Sequence, residues 1–367
     1  MNKEVGILTF HSSNNFGALL QTYGTYSAVK KLGYNPSIIN YHSPNKVNFY
    51  KTLHLSKNKS WKANITSIGN APLKSAKKKK SDDFRKNILK VSNEKLVSFD
   101  ELKLAQKNYA KIIVGSDQVW NYQNTGFDKR YLLDFIEDSR KKIAYAASFA
   151  LLEIESKYKA EYARLLRGFA HLSVRETRGC ELVKELTGLD AQQTIDPTLL
   201  LPAEEWSNFT PKKHLINDKY LLIYSVGNEK KTIEIAQKIA ADEGLKVVII
   251  GNRFQEFFIS GVIGVNPNPH EYVRLFKDAS YVVTSSFHGL VFSVIFNKQF
   301  TCCLDNKRAG NSRQISFLEM IGLLERLTYD LPDLEKVKHK IAWNKVNMIL
   351  HTEKEKSISF LKNALAD

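Results

Sequence analysis

A chain of 367 residues is longer than one ordinary hydrophobic core serves, since single cores stop growing near about 250–300 residues, so two domains are expected. With 43% apolar and 25% charged residues the composition is that of a globular protein. No run approaches the roughly 20 apolar residues of a membrane span, and Met1-Asn2-Lys3-Glu4-Val5 lacks a signal-peptide core, so a cytoplasmic location is expected. Cys180, Cys302 and Cys303 form no disulfide framework or zinc spacing; they read as reduced packing residues, and no metal is expected. The net charge of +16 is concentrated: between Lys46 and Lys111 stand 16 Lys and one Arg against five acids.

In chain order, Val5-Gly6-Ile7-Leu8-Thr9-Phe10 is a short apolar strand that empties into His11-Ser12-Ser13-Asn14-Asn15-Phe16-Gly17. A helix follows, apolar at Ala18, Leu19, Tyr23, Tyr26, Val29 and Leu32 and stopped by Gly33. Tyr34 to Tyr41 is a second strand. Such βαβ units in series make a parallel sheet whose ligands lie at the carboxyl ends of its strands. The His11–Gly17 loop is at such an end, which makes His11, Asn14, Asn15, Phe16 and the nearby Gln21 binding candidates.

The basic stretch at about 46–111 reads as an insertion, densest at Lys74-Ser75-Ala76-Lys77-Lys78-Lys79-Lys80 and followed by Ser81-Asp82-Asp83-Phe84, which reads as a helix start. Two expectations stand side by side: a solvated basic loop, or a contact with an anionic membrane surface at about 1 kcal/mol per basic residue. Nucleic acid is not expected, because aromatic interleaving is sparse and no nucleic-acid fold signature occurs.

A helix around Asp100–Asn108 precedes a strand, Tyr109 to Gly115, that delivers Ser116-Asp117-Gln118-Val119-Trp120-Asn121. Lys142 to Phe149 is a further strand, Glu155 to Phe169 a helix, and His171-Leu172-Ser173-Val174 a short strand carrying Arg175-Glu176 to the next helix start. Asp196-Pro197 and Pro202 put a domain boundary near 200–218. The second half repeats the pattern: strand Tyr220–Val226, helix Glu229–Glu243, strand Lys246–Gly251, helix Pro269–Asp278. Then Tyr281-Val282-Val283 ends in Thr284-Ser285-Ser286 and turns into a helix whose first turn holds His288 and Gly289. Such a helix start leaves backbone N–H groups free for an anion, and an imidazole there can titrate near neutral pH. Strand Gln299–Leu304 leads to a loop with Arg308 and Arg313, and a last helix runs from about Ile341 to Leu365. The expected architecture is α/β, two Rossmann-like domains facing across a cleft: 1–205 with the insertion at about 46–111, then 206–340, with 341–367 a helix packing back towards the N-terminal domain.

Each polar cluster also has a structural reading: Asn14-Asn15 as a turn, Trp120 as packing, Arg175 as half of an ion pair, Asp196 as a turn residue, Thr284-Ser285-Ser286 as an N-cap. Their gathering at strand ends in both halves favours a shared cleft site. There is no G-x-G-x-x-G after the first strand, no Walker lysine loop, no G-x-S-x-G elbow and no acidic metal cluster, which weakens the common nucleotide and hydrolase readings.

The motifs Gly6-Ile7-Leu8-Thr9-Phe10 through Asn14-Asn15-Phe16-Gly17-Ala18-Leu19-Leu20-Gln21, Val114-Gly115-Ser116-Asp117-Gln118-Val119-Trp120-Asn121, Ser173-Val174-Arg175-Glu176, Asp196-Pro197-Thr198 and Thr284-Ser285-Ser286-Phe287-His288-Gly289 occur in one order. On these the chain resembles the polysaccharide pyruvyl transferase family, from Gly6 to about Arg326. The resemblance implies a fold like that of GT-B glycosyltransferases and transfer of a pyruvyl group from phosphoenolpyruvate to a saccharide as a cyclic ketal. It implicates the residues matching Arg175 and His288 in donor binding and catalysis. Some members carry Arg where this chain has Ser286, so a second donor-binding cation is expected elsewhere: Arg313, with Arg308 in reserve.

The chemistry agrees with these residue types. Phosphoenolpyruvate carries a carboxylate and a phosphate, both suited to bidentate guanidinium. His288 is the expected general acid/base, with Asp117 beside it and Arg175 as catalytic partner; Ser285, Ser286 and Gly289 complete the donor site. His11, Asn14, Asn15, Phe16, Gln21, Asp117, Trp120 and Glu176 are the acceptor-side candidates. No cofactor is expected, and the acceptor is a saccharide, lipid-linked in one version, of a surface polysaccharide such as a capsule. The rival readings are a GT-B glycosyltransferase using a nucleotide sugar and a non-catalytic membrane- or nucleic-acid-binding adaptor on the same fold.

Overall fold

The computed structural model describes residues 3–44, 61–227, 229–305, 309–332, 335 and 339–367; residues 45–60 of the basic stretch and Arg308 lie outside the described residues. Among the described residues the chain forms two six-stranded sheets in which every paired neighbour is parallel. The first, ordered β2-β1-β3-β4-β5-β6, consists of β1 (Glu4–Leu8), β2 (Asn35–Ile38), β3 (Lys111–Val114), β4 (Lys142–Ala147), β5 (His171–Val174) and β6 (Gln192–Gln193). The second, ordered β12-β11-β10-β7-β8-β9, consists of β7 (Tyr220–Tyr224), β8 (Lys246–Ile250), β9 (Val262–Val265), β10 (Tyr281–Thr284), β11 (Gln299–Cys303) and β12 (Leu327–Thr328).

Both sheets are covered on both faces, which is why their central strands are continuous apolar runs. Alternation sends Ile7, Ile113 and Ile143 into one core and Leu8, Ile112 and Val114 into another. In the first sheet β1 lies between β2 and β3, and in the second β7 lies between β8 and β10. These are the switch points where connections depart to opposite sides, and loops at the carboxyl ends there frame ligand crevices.

Three strands escape the sequence pattern. β6 and β12 are two residues long, and β9 carries Gly264 with half-exposed neighbours, so none shows a periodic apolar signal. The region read as a domain boundary holds a short helix, Ala203–Phe209, whose Trp206 is fully buried.

The basic stretch needs a larger correction. Instead of a loop followed by a helix start, Lys74–Lys80 lies inside one helix, Trp61–Ile88, and Ser81 is buried within it. Lysine and alanine are good helix formers, and a run of charge conceals that. The five lysines do not form one solvated face either. Lys77 and Lys80 reach Asn252 and the Asn266 carbonyl of the C-terminal half, while Lys78 pairs with Asp82 at 2.6 Å.

The two halves share a core. Phe16, Leu19 and Leu20 of the first helix, Phe16–Lys31, belong to the same buried cluster as Tyr272, Leu290 and Phe292 of the second half. The Phe16 and Tyr272 rings lie 5.0 Å apart, and Trp206 touches Phe292 at 5.1 Å. The last helix, Trp343–Ala366, returns to the first half: Ser357 accepts from Ile195 N at 3.0 Å, and Tyr34 donates to the Leu365 carbonyl at 2.9 Å. Among the described residues, no helix is long and apolar enough to cross a membrane.

Candidate functional site

From the first half, β3 delivers Asp117 in the left-handed region (φ 73°), a conformation costly for a residue with a side chain. Its carbonyl accepts from Ser148 N at 3.0 Å and its carboxylate from Gln118 N at 2.8 Å, so the turn is held. β5 delivers Arg175, and the chain after β6 delivers Asp196 at the start of a 3-10 turn, Pro197–Leu200. Asp196 Oδ1 accepts from Thr198 N (3.0 Å) and Oγ1 (2.7 Å). Its Oδ2 accepts from Arg175 Nη1 at 2.6 Å, in a pair whose side chains are 2% and 0% exposed.

From the second half, β10 runs into Ser285 and Ser286, and Ser286 caps the helix Phe287–Ile295 by accepting from Gly289 N at 3.4 Å. Ser285 Oγ holds the neighbouring strand end, accepting from Val226 N at 2.9 Å. At Gly289 an added Cβ would fall 2.2 Å from Thr284 Oγ1, so only glycine lets the helix start this close to the strand. His288 lies against the first half: a Cβ on Gly17 would fall 2.2 Å from His288 Nδ1. The other ring nitrogen, Nε2, stands 3.5 Å from Asp196 Oδ2. The next helix, Ser312–Met320, brings Arg313, with Nη1 at 3.9 Å from Asp117 Oδ1. Both guanidiniums lie over the Phe287 ring, Arg175 at 4.3 Å and Arg313 at 5.7 Å from its centroid. In the orientation that satisfies both groups, the Gln118 amide oxygen accepts from Arg313 Nη1 and Nη2 at 3.0 and 2.6 Å.

The result is a cluster of two carboxylates, two guanidiniums and an imidazole contributed by both halves, with Arg175, Asp196 and His288 buried and Asp117 and Arg313 partly so. Burial alone would raise the Asp196 pKa, but His288 and Arg175 overturn that and hold it well below the usual carboxylate range. Asp117 is also lowered, against burial, by Arg175, His288 and Arg313. Arg313 is pushed down to about 10 by burial and by the like charge of Arg175, which leaves it cationic at neutral pH. Several donors in the cluster are not used up. Arg175 Nε and Nη2 and Arg313 Nε are buried without a hydrogen-bond partner among the described residues, and His288 Nε2 has the 3.5 Å approach to Asp196 Oδ2.

Of the residues expected from sequence, Arg175, Asp117, His288 and Arg313 therefore converge, with Ser285, Ser286 and Gly289 shaping the turn beneath His288. Others are engaged in structural contacts. Trp120 is 1% exposed, packs on Phe149 and donates to the Tyr131 carbonyl, so it is core of the first half. Glu176 points away from Arg175, and its Oε1 accepts from Ser148 Oγ, Phe149 N and Ala150 N, each at 3.0 Å. Gln21 is fully buried and donates to Thr9 Oγ1 at 2.9 Å. His11 is buried against Asn40, with Nε2 3.2 Å from Oδ1, and desolvation pushes its pKa down to about 4. Asn15 caps the first helix through Gly17 N at 2.8 Å, and Asn14 Oδ1 accepts from Arg85 Nη2 at 3.0 Å. Phe16 is a buried contact between the halves.

Sequence reasoning missed three contributors. Asp196 read as a turn residue, and Phe287 and Gly17 only as members of motifs, without a task of their own. The available signal for Asp196 was an acid followed by Pro197 just past a strand end, the same kind of position that holds Asp117 and Arg175.

Comparison with known proteins bears on the fold and on the family. No curated relative matches the sequence. Among solved structures, MnaA of S. aureus with UDP superposes with a TM-score of 0.52 at 10% identity, covering 92% of this chain and 86% of that one. A UDP-N-acetylglucosamine 2-epimerase from Rickettsia bellii gives 0.51 at 9% (100% and 97% covered), and a glycosyltransferase from Rickettsia africae 0.51 at 12% (99% and 100%). At such identities the likeness is one of fold: two Rossmann-like halves in the GT-B manner. At the level of sequence, a family model described as polysaccharide pyruvyl transferase matches residues 15–308. That span includes Asp117, Arg175, Asp196 and His288, and the chain belongs to the polysaccharide pyruvyl transferase family.

Proposed function

We propose that this transferase moves the pyruvyl group of phosphoenolpyruvate onto two hydroxyls of a saccharide that is a precursor of a surface polysaccharide, forming a cyclic ketal and releasing phosphate. The observation that carries the reading is the set of buried, unpartnered N–H donors on Arg175 and Arg313, which converge with His288 from three different elements. A small ligand with two anionic groups supplies the acceptors such donors lack, each hydrogen bond to a charged group contributing about 1.5–3 kcal/mol. Asp196 and Asp117 keep the two guanidiniums in place without consuming all their donors.

The reaction balances on this set. The vinyl carbon takes one proton and becomes a methyl group, while C2 gains bonds to two sugar oxygens in turn. The bond from C2 to the phosphate oxygen breaks, and the second hydroxyl proton leaves with phosphate. His288 serves as the acid/base that moves these protons, a role typically worth about 10²–10⁴-fold. Arg175 and Arg313 hold the carboxylate and phosphate while positive charge develops at C2. Work at the inner face of a membrane is part of the proposal, with the exposed Lys78, Lys79 and Lys86 as the basic surface.

The test is direct. Purified protein incubated with phosphoenolpyruvate and a panel of saccharide acceptors is expected to release phosphate and give a ketal methyl signal by NMR. Arg175→Ala and His288→Ala are each expected to lower turnover at least about 10²-fold with the fold intact by circular dichroism. Absence of both products across the panel, or variants as active as the parent, would count against the reading.

A further inference from the structure

The lysine-rich helix Trp61–Ile88 connects the strand-end loops of both halves. Its Arg85 donates to the Ser13 carbonyl at 2.8 Å and to Asn14 Oδ1, in the loop after β1. Its Asn70 Oδ1 accepts from Phe254 N at 2.7 Å, and Lys80 donates to the Asn266 carbonyl, both in the second half. Between these contacts Lys77 sits over the Phe16 ring, 4.5 Å from its centroid, and donates to Asn252 Oδ1 at 3.2 Å. Asn252 follows β8, and its Nδ2 donates to the Ser225 carbonyl at 3.0 Å. Ser225 Oγ lies 2.9 Å from Ser285 Oγ. A row of polar groups thus runs along the ends of β8, β7 and β10, from Lys77 to the turn that carries His288, across the switch point of the second sheet.

Lys77 is the charged member of this row. Its contacts are an aromatic face and a neutral amide, and among the described residues no carboxylate lies within ion-pair distance of its ammonium group; Glu256 attracts it from farther off. Burial pushes its pKa down to about 8. A partly buried ammonium without a contacting counter-charge is unfavourable, and an anion brought to it lowers that cost. Lysine suits phosphate as a point charge, whereas Ser225 Oγ and Asn252 Nδ2 already donate to the Gly227 and Ser225 carbonyls, so the ammonium group is the anion-binding member of the row.

We propose that Lys77 is the cation of a second anion subsite, which takes the phosphate or diphosphate linking the acceptor sugar to its carrier, while the sugar hydroxyls reach His288. The proposal rests on the reading of a saccharide acceptor given above. Nucleotide-linked and lipid-linked sugars share this group, so the chemistry is common to both carriers.

Titration calorimetry on the full chain separates the outcomes, with inorganic pyrophosphate, uridine diphosphate, farnesyl diphosphate and phosphoenolpyruvate as separate probes. The diphosphate probes are expected to bind the parent protein. Lys77→Met, which keeps the stem over Phe16, weakens them at least about 10-fold, and Lys77→Arg restores most of the affinity. Phosphoenolpyruvate affinity stays unchanged in both variants. Tighter binding of uridine diphosphate than of pyrophosphate assigns a nucleotide carrier, and tighter binding of farnesyl diphosphate a lipid carrier. The proposal is overturned if no diphosphate probe binds, if the Met variant binds as the parent does, or if phosphoenolpyruvate affinity falls in parallel. Should diphosphate bind through Lys77 while phosphoenolpyruvate does not bind at all, the pyruvyl reading fails and the Lys77 subsite stands.

Discussion

Asp196 ties the two halves of the site together, because one oxygen takes Arg175 and faces His288 while the other is fixed by Thr198. Its native pKa is depressed below the value of about 3.9 expected for an unfolded chain. As pH falls, the unfolded chain therefore binds a proton first. The stability Asp196 contributes is fully present above the unfolded value and is lost as pH falls through the lower native one. Replacing it with Asn leaves Arg175 buried without its principal counter-charge, which costs about 3–5 kcal/mol at neutral pH. Denaturant melts at pH 7 and near pH 3.5 check both parts. Asp196→Asn is expected to be less stable at pH 7 and to lose less on acidification than the parent; parallel losses would remove Asp196 as the acid-sensitive group.

At the scale of elements, the start of the first helix closely approaches the start of the His288 helix. Gly17 has no room for a Cβ, which would fall 2.2 Å from His288 Nδ1. Gly17→Ala is therefore expected to displace the imidazole, and misplacement by about 1 Å costs on the order of 10²-fold in rate. The measurement is turnover alongside a thermal melt: low turnover with a near-parental melt supports the contact, and full activity refutes it. This contact also shows where sequence reading stops. The apolar runs of β1, β3, β4, β7, β8, β10 and β11 were legible because both faces of a covered parallel sheet are apolar. Position at a strand end was legible too, but not direction. Arg175 and Glu176 are adjacent, yet one reaches the cleft and the other turns back to take three donors from residues 148–150. The Lys74–Lys80 run was misread because helix propensity in a charged stretch leaves no apolar stripe, and its partners lie in the other half of the chain. Asp196 was passed over for a similar reason: its importance comes from Arg175 and His288, which only the folded chain brings to it.

For the molecule as a whole, the site can be built from two halves because they share a core rather than meet across a wet interface. The largest buried cluster includes Val5 and Leu19 from the first half, Leu222 and Phe292 from the second, and Leu361 and Leu365 from the last helix. Trp206, 0% exposed in the segment between the sheets, contacts Tyr23, Phe209 and Phe292. Domains that meet through modest polar contacts move and melt independently, whereas a common apolar core couples them. Calorimetry is therefore expected to show a single transition, with calorimetric and van't Hoff enthalpies equal. Trp206→Ala opens a cavity at the junction and should lower stability by about 3–5 kcal/mol. If the halves are coupled as the packing indicates, the variant still melts in one step. Two resolved transitions in the parent would mean that the junction does not bind the halves together, and the pairing of Asp196 with His288 would then have to survive domain motion by some other means.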